Sequence, residues 1–202
     1  MALTTPALRQ TRWAFFRQWL KNPLGVAAVS PSSPQLARQM IAALPPKASR
    51  LIELGGGTGA ITSELLRHGI AAEDLLVLEL NEAMHQTLRQ RFPGLRLHLA
   101  NAADVRRLAL SSGFLDAGPA DAVVSGLGLL SMPRALQREI VAEAFACLRP
   151  DGRFVQFTYG PASPVAREVL DELGLIGRRV SFTWWNVPPA TVYVYEREQR
   201  RG

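Results

Sequence analysis

The sequence predicts an α/β fold in which a mostly parallel sheet carries helices on both faces. Three observations support this: apolar stretches alternate with stretches of helical periodicity, a glycine-rich turn over 55–59 joins one apolar strand to a helix, and the chain closes with two β-branched and aromatic stretches. With 202 residues and 48% hydrophobic content, the chain is long enough for a full core, so we predict one domain over 1–202.

The first predicted element is a helix over 8–21, which Asn22-Pro23 ends because proline cannot continue a helix. One side of it is rich in aromatic residues and cations lie nearby, so 1–24 is a candidate amphipathic membrane-binding helix. Its membrane-contacting residues would be Phe15, Phe16, Trp19, Arg12 and Lys21. A helix packed on the domain core, with its cations in solvent, explains the same pattern, because most amphipathic helices face a core.

The elements that follow are predicted from apolar runs and the turn residues that flank them. Ser33-Pro34 begins a helix that runs to about Leu44, and Pro45-Pro46 closes it. Further helices are predicted from Thr58 onward and over 82–91, 134–148 and 164–173. Strands are predicted over 50–54, 75–80, 95–100, 121–125 and 154–158, and a closing hairpin pairs 177–184 with 191–196. We expect a loop over 113–119, a flexible and apolar exit from the fourth strand over 125–133, and a turn at Pro150-Asp151-Gly152.

Positive charge is concentrated in the first quarter of the chain. Residues 1–50 contain seven cations and no acid, whereas the remainder contains 16 basic and 17 acidic residues. Such a segment suits an anionic partner, either a membrane surface or nucleic acid.

Cysteine usage and hydropathy exclude several classes of protein. Cys147 is the only cysteine, so an intramolecular disulfide is impossible, and the sequence predicts no metal site. The longest nearly apolar run, 122–132, is shorter than the ~20 residues of a spanning helix, and no signal-peptide pattern is present. We therefore expect a cytoplasmic protein.

The stretch over 51–61 carries the strongest functional signal, because ligands of open α/β sheets bind where a strand turns into a helix. Glycines there let a ligand approach main-chain N–H groups at the helix N-terminus. Read as G-x-G-x-x-A, Gly55, Gly57 and Ala60 suit a dinucleotide. Read as acid-x-G-x-G-x-G, Glu53 and the glycines resemble the first motif of methyltransferases that use S-adenosylmethionine (SAM).

The SAM interpretation explains more residues than the dinucleotide interpretation. It accounts for Glu53, a carboxylate inside an apolar strand where burial is costly without a partner. Glu79 ends the second strand and can accept hydrogen bonds from both ribose hydroxyls, which SAM and NAD share. We predict SAM as the cofactor, bound at the strand ends by Glu53, Gly55, Gly57, Thr58, Gly59, Glu79, Leu80, Asn101, Ala102 and Ser125.

Several segments resemble the bacterial phospholipid N-methyltransferases, and together they span nearly the whole chain. They are 15–23, 29–33, 53–59, Phe157-Thr158-Tyr159-Gly160-Pro161 and Asn186-Val187-Pro188-Pro189-Ala190. The glycine motif is typical of the SAM-dependent superfamily as a whole, whereas the first helix and the two proline-containing segments are more specific. The resemblance implies a Rossmann-like fold with seven strands, of which the last is antiparallel.

The same resemblance implies a function. It implies stepwise methylation of phosphatidylethanolamine toward phosphatidylcholine by an enzyme that docks on anionic lipids at the inner membrane, and it favours membrane docking for the first helix. In the family the carboxylate at Glu53 lies near the methionyl amino group of the cofactor. Asn101 stands where the superfamily often has aspartate, so its amide oxygen would accept a hydrogen bond from adenine without a charge.

Other SAM-dependent activities remain alternatives. A ribosomal RNA adenine methyltransferase would also suit a basic N-terminus, but such enzymes resemble one another in an Asn/Asp-Pro-Pro-aromatic motif after strand four. This chain has Ser125-Gly126-Leu127-Gly128 there, and Asn186-Val187-Pro188-Pro189 falls between the last two strands instead. We therefore expect no nucleic-acid partner. A small-molecule methyltransferase and a non-enzymatic SAM-binding module are the other two alternatives.

Methyl transfer from a sulfonium is an in-line displacement, so the protein must hold a neutral amine opposite the methyl group. No histidine is clearly placed to remove the proton of the amine. We expect Tyr159, at the exit of strand five, to contact the headgroup and act in catalysis, and Trp184 or Trp185 to offer a cation–π surface to the methylated ammonium, although packing as a core aromatic is a nearly equal alternative. Ser32 and Leu127 are further substrate-binding candidates; the apolar exit around Leu127 suits acyl chains, although ordinary core packing explains it equally well.

Overall fold

The computed structural model describes residues 34–159, 162–183 and 190–198. In these ranges seven strands form one sheet. The strands are β1 Leu51–Leu54, β2 Leu75–Glu79, β3 Arg96–Leu99, β4 Ala120–Ser125, β5 Leu148–Tyr159, β6 Leu175–Thr183 and β7 Ala190–Arg197. The predicted first helix, Ser32, Trp184 and Trp185 lie outside the described residues.

The described α-helices alternate with the strands along the chain. They are α1 Pro34–Ala42, α2 Ala60–Arg67, α3 Glu82–Arg91, α4 Val105–Ser111, α5 Arg134–Cys147 and α6 Arg167–Leu173. Short 3-10 turns cover Ala72–Asp74, Ala102–Asp104, Phe114–Ala117 and Leu129–Ser131. No helix in the described ranges combines the length and hydropathy that crossing a membrane requires.

The strand order β3-β2-β1-β4-β5-β7-β6 determines where a ligand can bind. Strands β1 to β5 pair in parallel, whereas β7 is antiparallel to both of its neighbours, β5 and β6. The chain order reverses between β1 and β4, and ligands of such sheets bind outside the carboxyl ends of the strands at this point. The predicted fold class, including the antiparallel last strand, is therefore confirmed.

Both faces of the sheet are covered. On one face, Met40 of α1 and Leu65 of α2 belong to the same buried cluster as Val124 and Val155 of the sheet. On the other face, Phe145 of α5 stacks on Phe154 of β5 with ring centroids 6.3 Å apart. Phe154 and Val155 are adjacent in one strand, and successive side chains of a strand point to opposite faces.

The turn predicted at Pro150-Asp151-Gly152 falls inside β5, which begins directly after α5 and therefore earlier than the predicted residue 154. Leu148 pairs with Ala120 and Arg153 pairs with Ala122, so residues 149–152 form an irregularity in the strand opposite a single residue, Asp121. The residues of the predicted turn therefore form a bulge within β5.

Two helices also differ from prediction. Helix α4 was not predicted, since seven residues contain too few turns to show clear periodicity. Helix α6 begins at Arg167 and not at 164, because side chains elsewhere bind the preceding backbone in an extended conformation. The Val165 N–H donates to Tyr195 Oη (3.4 Å) and the Ala166 N–H donates to Gln137 Oε1 (3.0 Å).

Candidate cofactor site

The glycine turn folds over the carboxyl end of β2. Gly55 and Gly56 both donate their N–H groups to the Leu78 carbonyl, at 2.8 and 3.3 Å. A methyl group at Gly59 would lie 2.7 Å from the Phe92 ring, so this side of the turn is closely packed. Gly57 has φ +52°, which favours glycine, and the nearest atom to a Cβ there would be 3.9 Å away. The turn is thus packed on one side and accessible to a ligand beside Gly57.

Glu79, the last residue of β2, holds the turn in place. Its Oε2 accepts a 2.8 Å hydrogen bond from the Gly57 N–H, and its Oε1 accepts a 2.7 Å bond from the Asn81 N–H. Each carboxylate oxygen has a second acceptor position, so both can still bind hydroxyl groups. Glu79 therefore lies where the sequence predicts the ribose-binding acid.

Glu53 is fully buried in β1, a central strand of the sheet. Its Oε2 accepts a 2.7 Å hydrogen bond from Thr62 Oγ1, whereas Oε1 has no hydrogen-bond partner among the described residues. Burial raises the pKa of Glu53 to about 8; the charge of Glu79 adds to this effect and the hydrogen bond from Thr62 opposes it. A buried carboxyl with one unused oxygen fits a ligand that brings a cationic group, as the methionyl end of SAM does.

The exit of β4 contacts the glycine turn. The Gly126 N–H donates to the Leu54 carbonyl (2.8 Å), and the Leu127 N–H donates to Ser125 Oγ (3.3 Å). A Cβ on Gly55 would lie 2.9 Å from Leu127 Cδ2, so the leucine side chain lies directly against the turn. The predicted residues Ser125 and Leu127 therefore lie beside the glycine turn, which follows the strand that contains Glu53.

Several hydrogen bonds hold the exit loop, residues 126–133, and the flexibility that the sequence predicts for this segment stays a prediction. The Ser131 hydroxyl and N–H both donate to the Gly128 carbonyl, and the Met132 N–H donates to the Leu129 carbonyl. Buried Gln137 donates to the carbonyls of Leu129 (2.8 Å) and Met132 (3.1 Å). Hydrogen bonds thus define the conformation of this loop.

The remaining predicted cofactor residues follow β2 and β3 or lie in the turn. The Ala100 N–H donates to the Glu79 carbonyl (2.9 Å), so Asn101 follows directly beside β2. Asn101 Oδ1 accepts from the Ala103 N–H (3.0 Å), and one acceptor position remains on that oxygen for adenine. Ala102 is buried, Leu80 is half-buried and Thr58 is exposed.

Tyr159 is the last residue of β5 and lies on the same face of the sheet as Glu53. Glu53 pairs with Val124 and Val124 with Val155, and Tyr159 follows Val155 by four residues. Its ring contacts Phe157 edge-on, with centroids 5.4 Å apart, and packs against the core. The catalytic role predicted for Tyr159 stays a prediction, as do the roles of Ser32, Trp185 and the residues of the first helix.

Sequence reasoning missed three buried polar side chains that bind Glu53 or the exit loop of β4: Thr62, Gln137 and Gln156. A usable signal exists for Gln156, which interrupts the apolar run Phe154-Val155-Gln156-Phe157 just as Glu53 interrupts β1. Thr62 lies between buried positions of an amphipathic helix, where a hydroxyl predicts a specific partner.

The described part of the chain contains no cluster of His, Cys, Asp and Glu that could hold a metal ion. What it provides is a buried carboxyl at Glu53 with one unpaired oxygen, free acceptor positions on Glu79, and accessible main chain at Gly57, which is hydrogen-bonded to Glu79. These groups suit a nucleoside that carries an amino acid.

Comparison with known proteins finds similar sequences. Residues 51–152 match the family model of the methyltransferase domain. The chain is also 32% identical, over 182 residues, to an ornithine lipid N-methyltransferase from Singulisphaera acidiphila, a match that covers 89% of this chain and 92% of the relative.

Solved structures share the fold at low sequence identity. A TehB-like SAM-dependent methyltransferase from Corynebacterium glutamicum aligns with a TM-score of 0.59 and 18% identity, covering 94% of this chain and 100% of the other. Magnesium protoporphyrin IX methyltransferase from Synechocystis PCC 6803, solved with bound SAM, aligns with a TM-score of 0.57 and 14% identity over 98% of this chain and 100% of the other. These structural likenesses concern the fold.

Proposed function

Because the chain belongs to the SAM-dependent methyltransferases, we propose that it transfers a methyl group to the amine of a membrane lipid headgroup. The observation that carries this proposal is the 32% identity with an ornithine lipid N-methyltransferase across 89% of the chain. The acceptor of that relative is a lipid, and the aligned region includes most of this chain, so we infer a lipid acceptor here as well.

The substrate we propose is phosphatidylethanolamine, together with its monomethyl and dimethyl derivatives, with phosphatidylcholine as the end product. The segments Tyr159-Gly160-Pro161 and Asn186-Val187-Pro188-Pro189-Ala190, which resemble the phospholipid N-methyltransferases, support this choice. Ornithine lipid is the second candidate, favoured by the curated relative. Both lipids combine a primary amine with an anionic group and acyl chains.

In this proposal the chain contributes binding and orientation. SAM, when bound, supplies an activated methyl group. Glu53 would hold the cationic end of the cofactor and Glu79 would accept hydrogen bonds from its ribose, beside the accessible main chain of Gly57. Leu127 forms a wall against the glycine turn, beside which the neutral lipid amine would be oriented for in-line attack. Tyr159 contacts the headgroup at the carboxyl end of β5.

Residues 1–24 dock the enzyme on the inner membrane in this proposal, and the enzyme is otherwise cytoplasmic. Large apolar side chains such as Phe16 and Trp19 each contribute roughly 1.5–3 kcal/mol when fully inserted, and each cation near anionic lipid contributes about 1 kcal/mol. Exchange of Phe16 and Trp19 for serine should abolish sedimentation with phosphatidylglycerol vesicles. A matched variant with serine at Gln10 and Gln18 should sediment normally. Full sedimentation of the first variant together with a collapse of its thermal stability would assign the helix to the core.

Turnover on defined vesicles tests the lipid substrate. The purified protein is incubated with SAM labelled in the methyl group and phosphatidylglycerol vesicles that contain phosphatidylethanolamine, ornithine lipid or neither, and with unmodified ribosomal particles. We expect label in the methylated ethanolamine lipids, and none in RNA or in vesicles of phosphatidylglycerol alone. Label in ornithine lipid only would replace the proposed substrate, and label in RNA only would refute a lipid acceptor.

A further inference from the structure

Gln156 of β5 is a buried amide whose orientation its neighbours determine. Its Nε2 donates to the carbonyls of Leu127 (2.8 Å) and Phe157 (2.7 Å). Because both partners are acceptors, the amino group must face them, which directs Oε1 away. Oε1 is buried and has no hydrogen-bond partner in the part of the chain that the structure describes.

Leu127 is held at three points, and Gln156 supplies one of them. The Leu127 N–H donates to Ser125 Oγ, its carbonyl accepts from Gln156, and its side chain lies where a Cβ on Gly55 would be 2.9 Å away. Ser125 and Gln156 are neighbours across β4 and β5, so the paired strands support both polar contacts of the Leu127 backbone. The Gln156 amide is therefore one of the contacts that hold the Leu127 backbone beside the glycine turn.

Stability alone does not explain a glutamine at this position. A buried acceptor without a donor is unfavourable, and an apolar side chain of the same length would avoid that penalty. The Leu127 carbonyl also accepts from the Leu129 N–H (2.9 Å), so it would keep one partner without Gln156. Residues that break a packing rule in this way are expected where they serve a site.

We propose that Gln156 is a positioning residue of the cofactor pocket: it holds Leu127 against Gly55 and so fixes the wall between the glycine turn and the acceptor side. It acts through Leu127, and no contact between Gln156 and cofactor is required. The inference concerns the SAM pocket and holds whichever acceptor is methylated.

Gln137 of α5 provides a matched control in the same exit loop. It is buried like Gln156, but both of its polar atoms have a hydrogen-bond partner: Nε2 donates to the carbonyls of Leu129 and Met132, and Oε1 accepts from the Ala166 N–H. These contacts hold the outer half of the loop and the segment before α6, and none of them involves Leu127. Gln137 thus stabilises the loop without setting the pocket wall.

The test compares Gln156→Met with Gln137→Met by calorimetric titration with S-adenosylhomocysteine and by thermal unfolding. For Gln156→Met we expect binding weakened by about fivefold or more and a Tm within about 4 °C of the wild type, because removal of the unpaired Oε1 offsets the lost hydrogen bonds. For Gln137→Met we expect a Tm lowered by more than about 4 °C and an affinity within about twofold of the wild type.

A third variant, Leu127→Ala, tests the same link from its other end and needs no change in the sheet. It should weaken S-adenosylhomocysteine binding about as much as Gln156→Met. The double variant should bind as tightly as the weaker-binding of these two single variants, because both substitutions remove the same contact between Leu127 and the glycine turn. Wild-type affinity in Gln156→Met or in Leu127→Ala, additive losses of affinity in the double variant of these two, or equal losses of affinity in Gln156→Met and Gln137→Met would overturn the inference. A wild-type protein that binds S-adenosylhomocysteine but methylates neither lipid would contradict the proposed function and leave this test intact.

Discussion

Thr62 donates a 2.7 Å hydrogen bond to Oε2 of Glu53, while Oε1 of the same carboxyl has no partner among the described residues. One oxygen is thus held by the fold and the other is left unpaired. Because burial raises the pKa of Glu53 to about 8, the carboxyl is mostly protonated at neutral pH in the free protein. Both Thr62 and Glu53 are fully buried, so their hydrogen bond is shielded from bulk solvent.

The protonated state of Glu53 predicts that cofactor binding releases a proton. A cationic amino group beside Oε1 favours the carboxylate, so binding lowers the pKa of Glu53 from about 8. At about pH 6.5, S-adenosylhomocysteine should displace close to one proton, and its affinity should rise with pH until the pH passes about 8. Calorimetric titration in buffers of different ionisation enthalpy measures this release. Glu53→Gln should show none, and a wild-type binding heat that is independent of the buffer would contradict the prediction.

The same group predicts how stability depends on pH. The pKa of Glu53 is raised from its ordinary value of 4.5 to about 8 in the folded protein. Its favourable contribution to the free energy of unfolding is therefore complete below about pH 4.5 and is lost as the pH rises through 8. The free wild-type protein should therefore lose Tm relative to Glu53→Gln between about pH 5 and 8, with no further change above about pH 9. Thermal unfolding of both proteins across this range tests it. A difference in Tm that is constant with pH would be inconsistent with a buried, protonated Glu53.

Removal of the Thr62 hydroxyl should weaken cofactor binding. The side-chain hydrogen bond from Thr62 lowers the pKa of Glu53, so Thr62→Val makes the carboxylate harder to form and removes the hydroxyl that donates to Oε2. We expect a loss of roughly 1–3 kcal/mol in S-adenosylhomocysteine affinity by calorimetry. Thr62→Ser keeps the hydroxyl and should recover most of this loss; an equally weak serine variant would show that the methyl group of Thr62 matters and its hydroxyl does not.

The fold and the glycine turn can be predicted from the sequence because both depend on local patterns. Apolar runs placed β1, β2 and β4 within one residue of their observed bounds, and helix α3 covers the predicted 82–91. The irregularity over 149–152 could not be predicted, because its cause is the pairing of Leu148 with Ala120 across the sheet.

The polar contacts of the site depend on residues that are far apart in the chain. Gln156 and Leu127 are 29 residues apart, and Glu79 and Gly57 are 22 residues apart. Residue type alone indicated that Glu53 needs a partner, but Thr62 was identified only when α2 was placed against β1. The strand-four exit was predicted to be flexible because its glycines are visible in the sequence and the Gln137 hydrogen bonds are not.

Glu79 should contribute to cofactor affinity in two ways. Glu79→Ala removes the acceptor for ribose hydroxyls and also the hydrogen bond that holds the Gly57 N–H. We expect S-adenosylhomocysteine to bind more weakly by roughly 1–3 kcal/mol, with NAD binding no better than in the wild type. Glu79→Gln keeps one acceptor oxygen and should lose less. Calorimetric titration of all three proteins decides, and unchanged affinity in the alanine variant would remove Glu79 from the site.

The lipids of cells that express this chain test the central claim most directly. The host should make phosphatidylethanolamine and ornithine lipid but methylate neither, and it is fed methionine labelled in the methyl group. Separation of the extracted lipids by thin-layer chromatography should show label in monomethyl- and dimethyl-phosphatidylethanolamine and in phosphatidylcholine. Cells that express Glu79→Ala at equal protein level should show much less. Extracts with no label in the methylated ethanolamine lipids, in phosphatidylcholine or in ornithine lipid would contradict the account, provided that the protein is folded and binds S-adenosylhomocysteine.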